Sequence, residues 1–217
     1  MREIVEASVS AKLVEIAGLH DAIAALKAGE LVVYPTETFY GIAADPFSPS
    51  ALEKLFAIKG RDPQKPVALI AADSQMAFEV AREVPNVARR LAMAFWPGPL
   101  TIVLPARDGF PPQLVGPDGG VGIRVSPHPI ARALSEGIGR PITATSANRA
   151  GEEPATTLQA ARESLGDKVK VFLEGGTLRA SAPSTVIICD AGGFRIIRAG
   201  AIGEREMAAA LSVGTLE

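Results

Sequence analysis

The apolar residues of this chain come in short runs of four to six, among them Leu31–Tyr34, Val67–Ala71, Leu100–Leu104, Val121–Val125 and Pro141–Ala144. Runs of that length, rich in Val, Ile and Leu, suit buried strands and fall far short of the ~20 residues that a membrane span needs. Between them lie stretches with helical spacing. His20–Lys27 is stopped by Gly29. Ser50 with Glu53 makes a capping box for a helix that runs to Lys59. Asp73 to about Arg82, Pro85–Phe95, Pro129–Glu136, Thr157–Leu165 and Glu204–Leu211 follow. Residues 3–16 read as an edge strand, and strands at 169–173, 184–189 and 194–198 close the chain, the last two joined by Ala191-Gly192-Gly193. Strands and helices that alternate and end in a hairpin predict an α/β fold, a mixed sheet with helices packed on it. No internal repeat or low-complexity linker interrupts it, so residues 1–217 are expected to form a single domain.

Chemistry concentrates between Tyr34 and Lys65. A strand ends in the hydroxyl-rich turn Pro35-Thr36-Glu37-Thr38-Phe39-Tyr40-Gly41, and the next helix ends in Lys59-Gly60-Arg61, with Lys65 beyond. On an extended segment Thr36, Thr38 and Tyr40 share one face and would line one wall. Ordinary turn chemistry is the alternative. Lys54, Lys59, Arg61 and Lys65 fall within twelve residues, enough for a local anion site, although cations at a helix C-terminus also simply suit its dipole. Arg124 lies inside the apolar strand Val-Gly-Ile-Arg-Val and needs a partner, either a structural carboxylate or a carboxylate-bearing ligand. Thr145-Ser146-Ala147-Asn148 follows an apolar strand, where ligands of open α/β sheets bind. Ser184 opens one late strand and Arg198 ends the next.

Several classes are disfavoured. The sequence has no GxSxG, no Walker A loop and no GxGxxG, and its two histidines, His20 and His128, follow no metal-ligand spacing. Hydroxyls and cations without a nucleophile fit phosphate chemistry done by positioning and electrostatics. A net charge of −2 and few aromatic residues disfavour a nucleic-acid coat. The sole cysteine, Cys189, cannot form an internal disulfide. The N-terminal residues lack the continuous apolar segment of a secretory signal, so a cytoplasmic setting without membrane is expected.

Taken in order, PTETFYGIAAD, KGRDPQKP, FWPGPLTIVLPA, VGIRVSPHP, TATSANRAG, STVIICD and IIRAG resemble the YrdC-like L-threonylcarbamoyladenylate synthases over residues 31 to about 202. The resemblance implies a twisted, open mixed β-sheet with a concave electropositive cleft, in the short single-domain form. It implies synthesis of threonylcarbamoyl-AMP from L-threonine, bicarbonate or CO2, and ATP, with release of pyrophosphate. The product would serve the modification of the adenosine beside the tRNA anticodon through a downstream threonylcarbamoyltransferase machinery. Carried over by position, Thr38, Thr36, Tyr40, Arg124, Ala144 and Ser184 would form the threonine site. Lys59 and Arg61 would hold the phosphates and act as the catalytic cations. Lys65, Ser146, Asn148 and Arg198 would contact or support the nucleotide. Mg2+ would accompany ATP without an identified protein ligand. Two positions depart from many relatives: Ile70, where some carry histidine, and Pro154-Ala155-Thr156, where many carry Ser-Pro-Thr. A non-enzymatic RNA-binding module, with RNA contact through the cations, and a carbamoyl-adenylate-forming domain are the competing readings.

Overall fold

A computed structural model describes residues 16–60, 66–179, 182–190 and 192–212. The expected edge strand at 3–16, the residues Arg61 and Lys65, and Ala191 of the last turn lie outside the described residues, apart from residue 16 itself. The elements in order are α1 (Leu19–Lys27), β1 (Val32–Tyr34), β2 (Gly41–Ala43), α2 (Pro49–Lys59), β3 (Ala68–Ala71), α3 (Ser74–Phe78), α4 (Asn86–Phe95), β4 (Leu100–Pro105), β5 (Gly120–Val125), α5 (Pro129–Ile138), β6 (Ile142–Ser146), α6 (Leu158–Leu165), β7 (Val171–Phe172), β8 (Thr185–Asp190), β9 (Gly193–Arg198) and α7 (Glu204–Ser212). The strands form one mixed sheet in the order β7-β1-β2-β6-β3-β5-β4-β8-β9. Three neighbouring pairs are parallel, β1/β7, β3/β5 and β4/β8, and the rest are antiparallel.

The period-two alternation of the strands assigns each residue to a layer. Leu31, Val33, Leu69 and Ala71 face a core that also holds Leu52 and Leu55 of α2, Leu91 of α4 and Met207 of α7. Val32, Tyr34, Ile70 and Ile142 face the other way, under α1 and α5. Ile70, at a position where some relatives carry histidine, is fully buried in that second layer. No helix among the described residues is long and apolar enough to cross a membrane.

Three expectations change. The helix ending at Lys59 is capped by Ser48, whose Oγ accepts the Ala51 N–H at 3.4 Å, with Pro49 in the first turn. Ser50 lies inside it, because the fixed φ of proline suits the first helical position and moves the start two residues upstream. The stretch from Asp73 is helical only through Phe78, with Asp73 as its cap. Gly41–Ala43, left outside any strand by the sequence reading, is β2 and pairs with β1 and β6. Glycine and alanine are weak strand formers; tertiary pairing on both sides imposes the conformation. A side chain at Gly41 would be crowded: its Cβ would sit 3.2 Å from the Tyr34 ring, whose hydroxyl crosses to donate to the Thr143 carbonyl at 3.1 Å.

Candidate active site

One face of the sheet is only partly covered. The helices α1 and α5 roof β1, β2 and the near ends of β6 and β3. Beyond them the same face opens into a cleft of about 620 Å³. Small residues clear its floor. Ala144 pairs with Ala68, and Gly122 adjoins it: a Cβ on Gly122 would lie 3.6 Å from the Ala68 Cβ and 3.3 Å from the Thr101 methyl. The alternation Gly120-Val121-Gly122-Ile123-Arg124 turns Val121 and Ile123 into the core and leaves two glycines and a cation for the cleft.

The walls bring together Thr36, Thr38, Tyr40, Arg124, Ala144, Ser146, Ser184 and Arg198, residues spread over most of the chain. Each is held differently. Thr36 builds its turn: its Oγ1 accepts the Thr38 N–H at 3.1 Å, donates to the Phe39 carbonyl at 2.7 Å and lies 3.0 Å from the Thr38 hydroxyl. Both the turn role and the wall role therefore coexist in this residue. The Tyr40 hydroxyl donates to the Gly176 carbonyl at 2.9 Å and accepts the Gly175 N–H at 3.0 Å, which ties the segment after β7 to this wall. Ser184 Oγ lies 3.0 Å from Thr101 Oγ1, and Arg198 Nη2 donates to the Ser184 carbonyl at 2.7 Å and to its hydroxyl at 3.0 Å. The Ser146 hydroxyl makes no hydrogen bond among the described residues and belongs to the cleft wall.

Arg124 has a protein partner. Its Nε donates to Glu37 Oε1 at 2.9 Å, and Ser126 Oγ donates to Glu37 Oε2. Arg124 lines the cleft, and its two Nη groups make no hydrogen bond to a described residue. Burial pushes the Glu37 carboxyl up, and the Arg124 guanidinium with the Ser126 hydroxyl outweighs it and holds the group below the ordinary carboxylate value. Because the folded value is the depressed one, the pair stabilises the fold above the ordinary carboxylate range, and that contribution is lost as pH falls through the folded value. Burial lowers His128 despite the opposing charge of Glu37, and its Nδ1 accepts the Ile130 N–H at 3.3 Å to cap α5.

Lys59 and Asn148 do not line the cleft; they stand behind its β6 wall. Lys59 is 5% exposed, and its Nζ donates to the Ser146 carbonyl at 2.9 Å, the Asn148 carbonyl at 2.5 Å and Asn148 Oδ1 at 3.3 Å. The Asn148 amide nitrogen donates to the Arg149 and Glu152 carbonyls at 3.0 and 2.6 Å. Lysine and asparagine together therefore clamp the turn that presents Ser146. Gly60 stops α2 in the left-handed region, φ 52°, just after that lysine.

Sequence reasoning overlooked Glu37, Ser126 and Thr101. A usable signal existed for the first. Arg124, inside an apolar strand, required a carboxylate, and Glu37 is the acidic residue of the hydroxyl-rich turn.

The Sua5/YciO/YrdC family model, described as "Telomere recombination", matches residues 24–200. The chain belongs to this family. A threonylcarbamoyl-AMP synthase of Photobacterium profundum is 35% identical over 170 residues, covering 77% of this chain and 92% of the relative. Among solved structures, P. abyssi Sua5 complexed with L-threonine superposes with a TM-score of 0.84 at 33% identity, covering 89% of this chain. This chain spans 57% of the length of that Sua5 chain. E. coli YciO superposes with a TM-score of 0.78 at 27% identity, covering 87% of this chain and 91% of its own. The likeness to Sua5 and YciO extends to the fold, a large mixed sheet flanked by helices.

Proposed function

We propose that this member of the family makes L-threonylcarbamoyl-AMP from L-threonine, bicarbonate or CO2, and ATP, releasing pyrophosphate. The observation that carries the reading is the Arg124 guanidinium, which lines the cleft, is fixed through Nε and leaves its Nη groups without a hydrogen bond to a described residue. That fork suits the carboxylate of an amino acid. Thr38, Thr36 and Ser184 line the cleft as neutral hydrogen-bonding groups for the rest of the amino acid. Arg198 and Ser146 serve the nucleotide, with Arg61 and Lys65 as further phosphate contacts.

The chemistry needs no enzyme nucleophile. The threonine amine adds to CO2 and loses a proton to give a carbamate. One carbamate oxygen then attacks the α-phosphorus of ATP, the α–β bridging bond breaks, and pyrophosphate carries away the electron pair. The protein's tasks are to hold two anions side by side and to offset charge as it develops on the phosphates. Among the described residues no group of three or more His, Cys, Asp or Glu could hold a metal ion. In this reading Mg2+ accompanies the triphosphate. The product would pass to a transferase acting on the adenosine beside the tRNA anticodon, and a cytoplasmic setting fits this reading.

The RNA-binding alternative finds little support in the side chains. Tyr34, Tyr40 and Trp96 are buried, and each spends its polar atom inside the protein. None offers a face for base stacking.

The deciding test is pyrophosphate release from ATP and bicarbonate, with L-threonine, with serine and with neither. Threonine-dependent release, with threonylcarbamoyl-AMP seen by mass spectrometry, is the expected result. A folded protein that binds RNA and releases no pyrophosphate would overturn the proposal. For Ser146→Ala the expected result is a severalfold rise in KM for ATP, about the loss of one ordinary hydrogen bond, with KM for threonine and the unfolding midpoint unchanged. An equal rise in both KM values would move Ser146 out of the nucleotide site.

A further inference from the structure

Glu37 stands behind Arg124. Arg124 lines the cleft, Glu37 is not part of its lining, and both side chains are largely buried, 7% and 13% exposed. The carboxylate is held at both oxygens, by Arg124 Nε and by Ser126 Oγ. Ser126 Oγ in turn accepts the His128 N–H at 3.1 Å, so the anchor is built into the segment that starts α5. A rigidly held carboxylate beside the cation has an electrostatic consequence as well as a steric one. The pair carries one positive and one negative charge and is neutral as a unit. An anion arriving at the Nη groups meets the directed hydrogen bonds of the fork, while the attraction of the guanidinium is largely offset by Glu37. A single carboxylate takes up the two directed bonds and carries one charge. A phosphate adds a second charge, which finds no further net attraction there.

We propose that Glu37 is a positioning and specificity-determining residue that makes the Arg124 end of the cleft accept a monoanionic carboxylate and reject phosphate. The discrimination matters because this cleft must hold an amino acid and a triphosphate at once without the phosphates occupying the amino-acid end. The assignment rests on the proposed function in taking that end as the amino-acid site.

The test is displacement of bound L-threonine, measured by equilibrium dialysis without ATP, using propionate and inorganic phosphate as the probes. In the wild-type protein propionate displaces threonine, and phosphate at the same concentration does not. In Glu37→Gln, where shape is kept and charge is lost, phosphate displaces threonine at about one-tenth of the concentration the wild type requires, the scale of one nearby screened charge. Glu37→Asp, which keeps the charge, retains the wild-type resistance to phosphate. A merely structural role would lower stability without creating sensitivity to phosphate. Should Glu37→Gln fail to fold, the wild-type comparison still decides, because displacement by phosphate as readily as by propionate overturns the proposal. Unchanged resistance in a folded Glu37→Gln also overturns it. Absence of threonine binding to the wild type brings down the functional reading and this assignment together. Retained binding with equal displacement brings down this assignment alone.

Discussion

Arg124→Gln is expected to lower kcat/KM for L-threonine by about 100-fold or more, the scale of losing a paired, charge-assisted contact to a carboxylate. It should also destabilise the protein. Glu37 would remain buried with its charge uncompensated, and breaking such a pair costs about 3–5 kcal/mol. Activity and stability are separable here. The double variant Arg124→Gln/Glu37→Gln removes both charges and should regain most of the lost stability in urea unfolding, since a neutral buried pair avoids the stranded charge. It should not regain threonine-dependent pyrophosphate release. Return of turnover together with stability would show that the guanidinium is needed for folding alone and that another group binds the carboxylate.

Lys59→Met is expected to have the second-largest effect, and on stability first. The ammonium is buried at the end of α2 and donates to three oxygens of the Ser146–Asn148 turn. Methionine fills much of the space and supplies no donor, so several buried acceptors lose their partner at once. The expected cost is about 3 kcal/mol, read as a lower midpoint in urea with an unchanged m-value. Because Ser146 sits on that turn, KM for ATP should rise as well. Lys59→Arg should rescue poorly, since a planar fork does not match three oxygens converging on one point. Wild-type stability in Lys59→Met with turnover abolished would mean that the lysine leaves these carbonyls and acts directly on the phosphates, the role the family resemblance implies for it.

Most of the strands were legible from sequence because they are short apolar runs with flanking turn residues, and period-two alternation along such a run separates its two faces. Val121-Gly122-Ile123-Arg124-Val125 is the clearest instance. Hydrophobic residues at alternate positions require a core face, so glycine and arginine must face the other way, and that face proves to be the cleft. The helix starts were less legible. Ser48, Pro49 and Ser50 all carry cap signals, and only the backbone geometry distinguishes them. The strand β2 was invisible, since Ile42 is a single strand former between two weak ones, Gly41 and Ala43, and the segment is held by neighbours at Tyr34 and Thr145.

The site divides along the same line. Composition and spacing alone pointed to an α/β chain, to a phosphate chemistry without a nucleophile, and to Arg124 as a cation in need of a carboxylate, from the protein or from a ligand. Only the tertiary structure decided that the carboxylate is Glu37, 87 positions earlier in the chain, and that Lys59 turns to the Ser146–Asn148 turn instead of lining the cleft. Both pairings depend on the sheet order β2-β6-β3-β5, which lays the turn after β1 beside the end of β5 and the end of α2 behind β6. Local propensity acts over a few residues, whereas strand order is set by which apolar faces can be buried together across the whole chain.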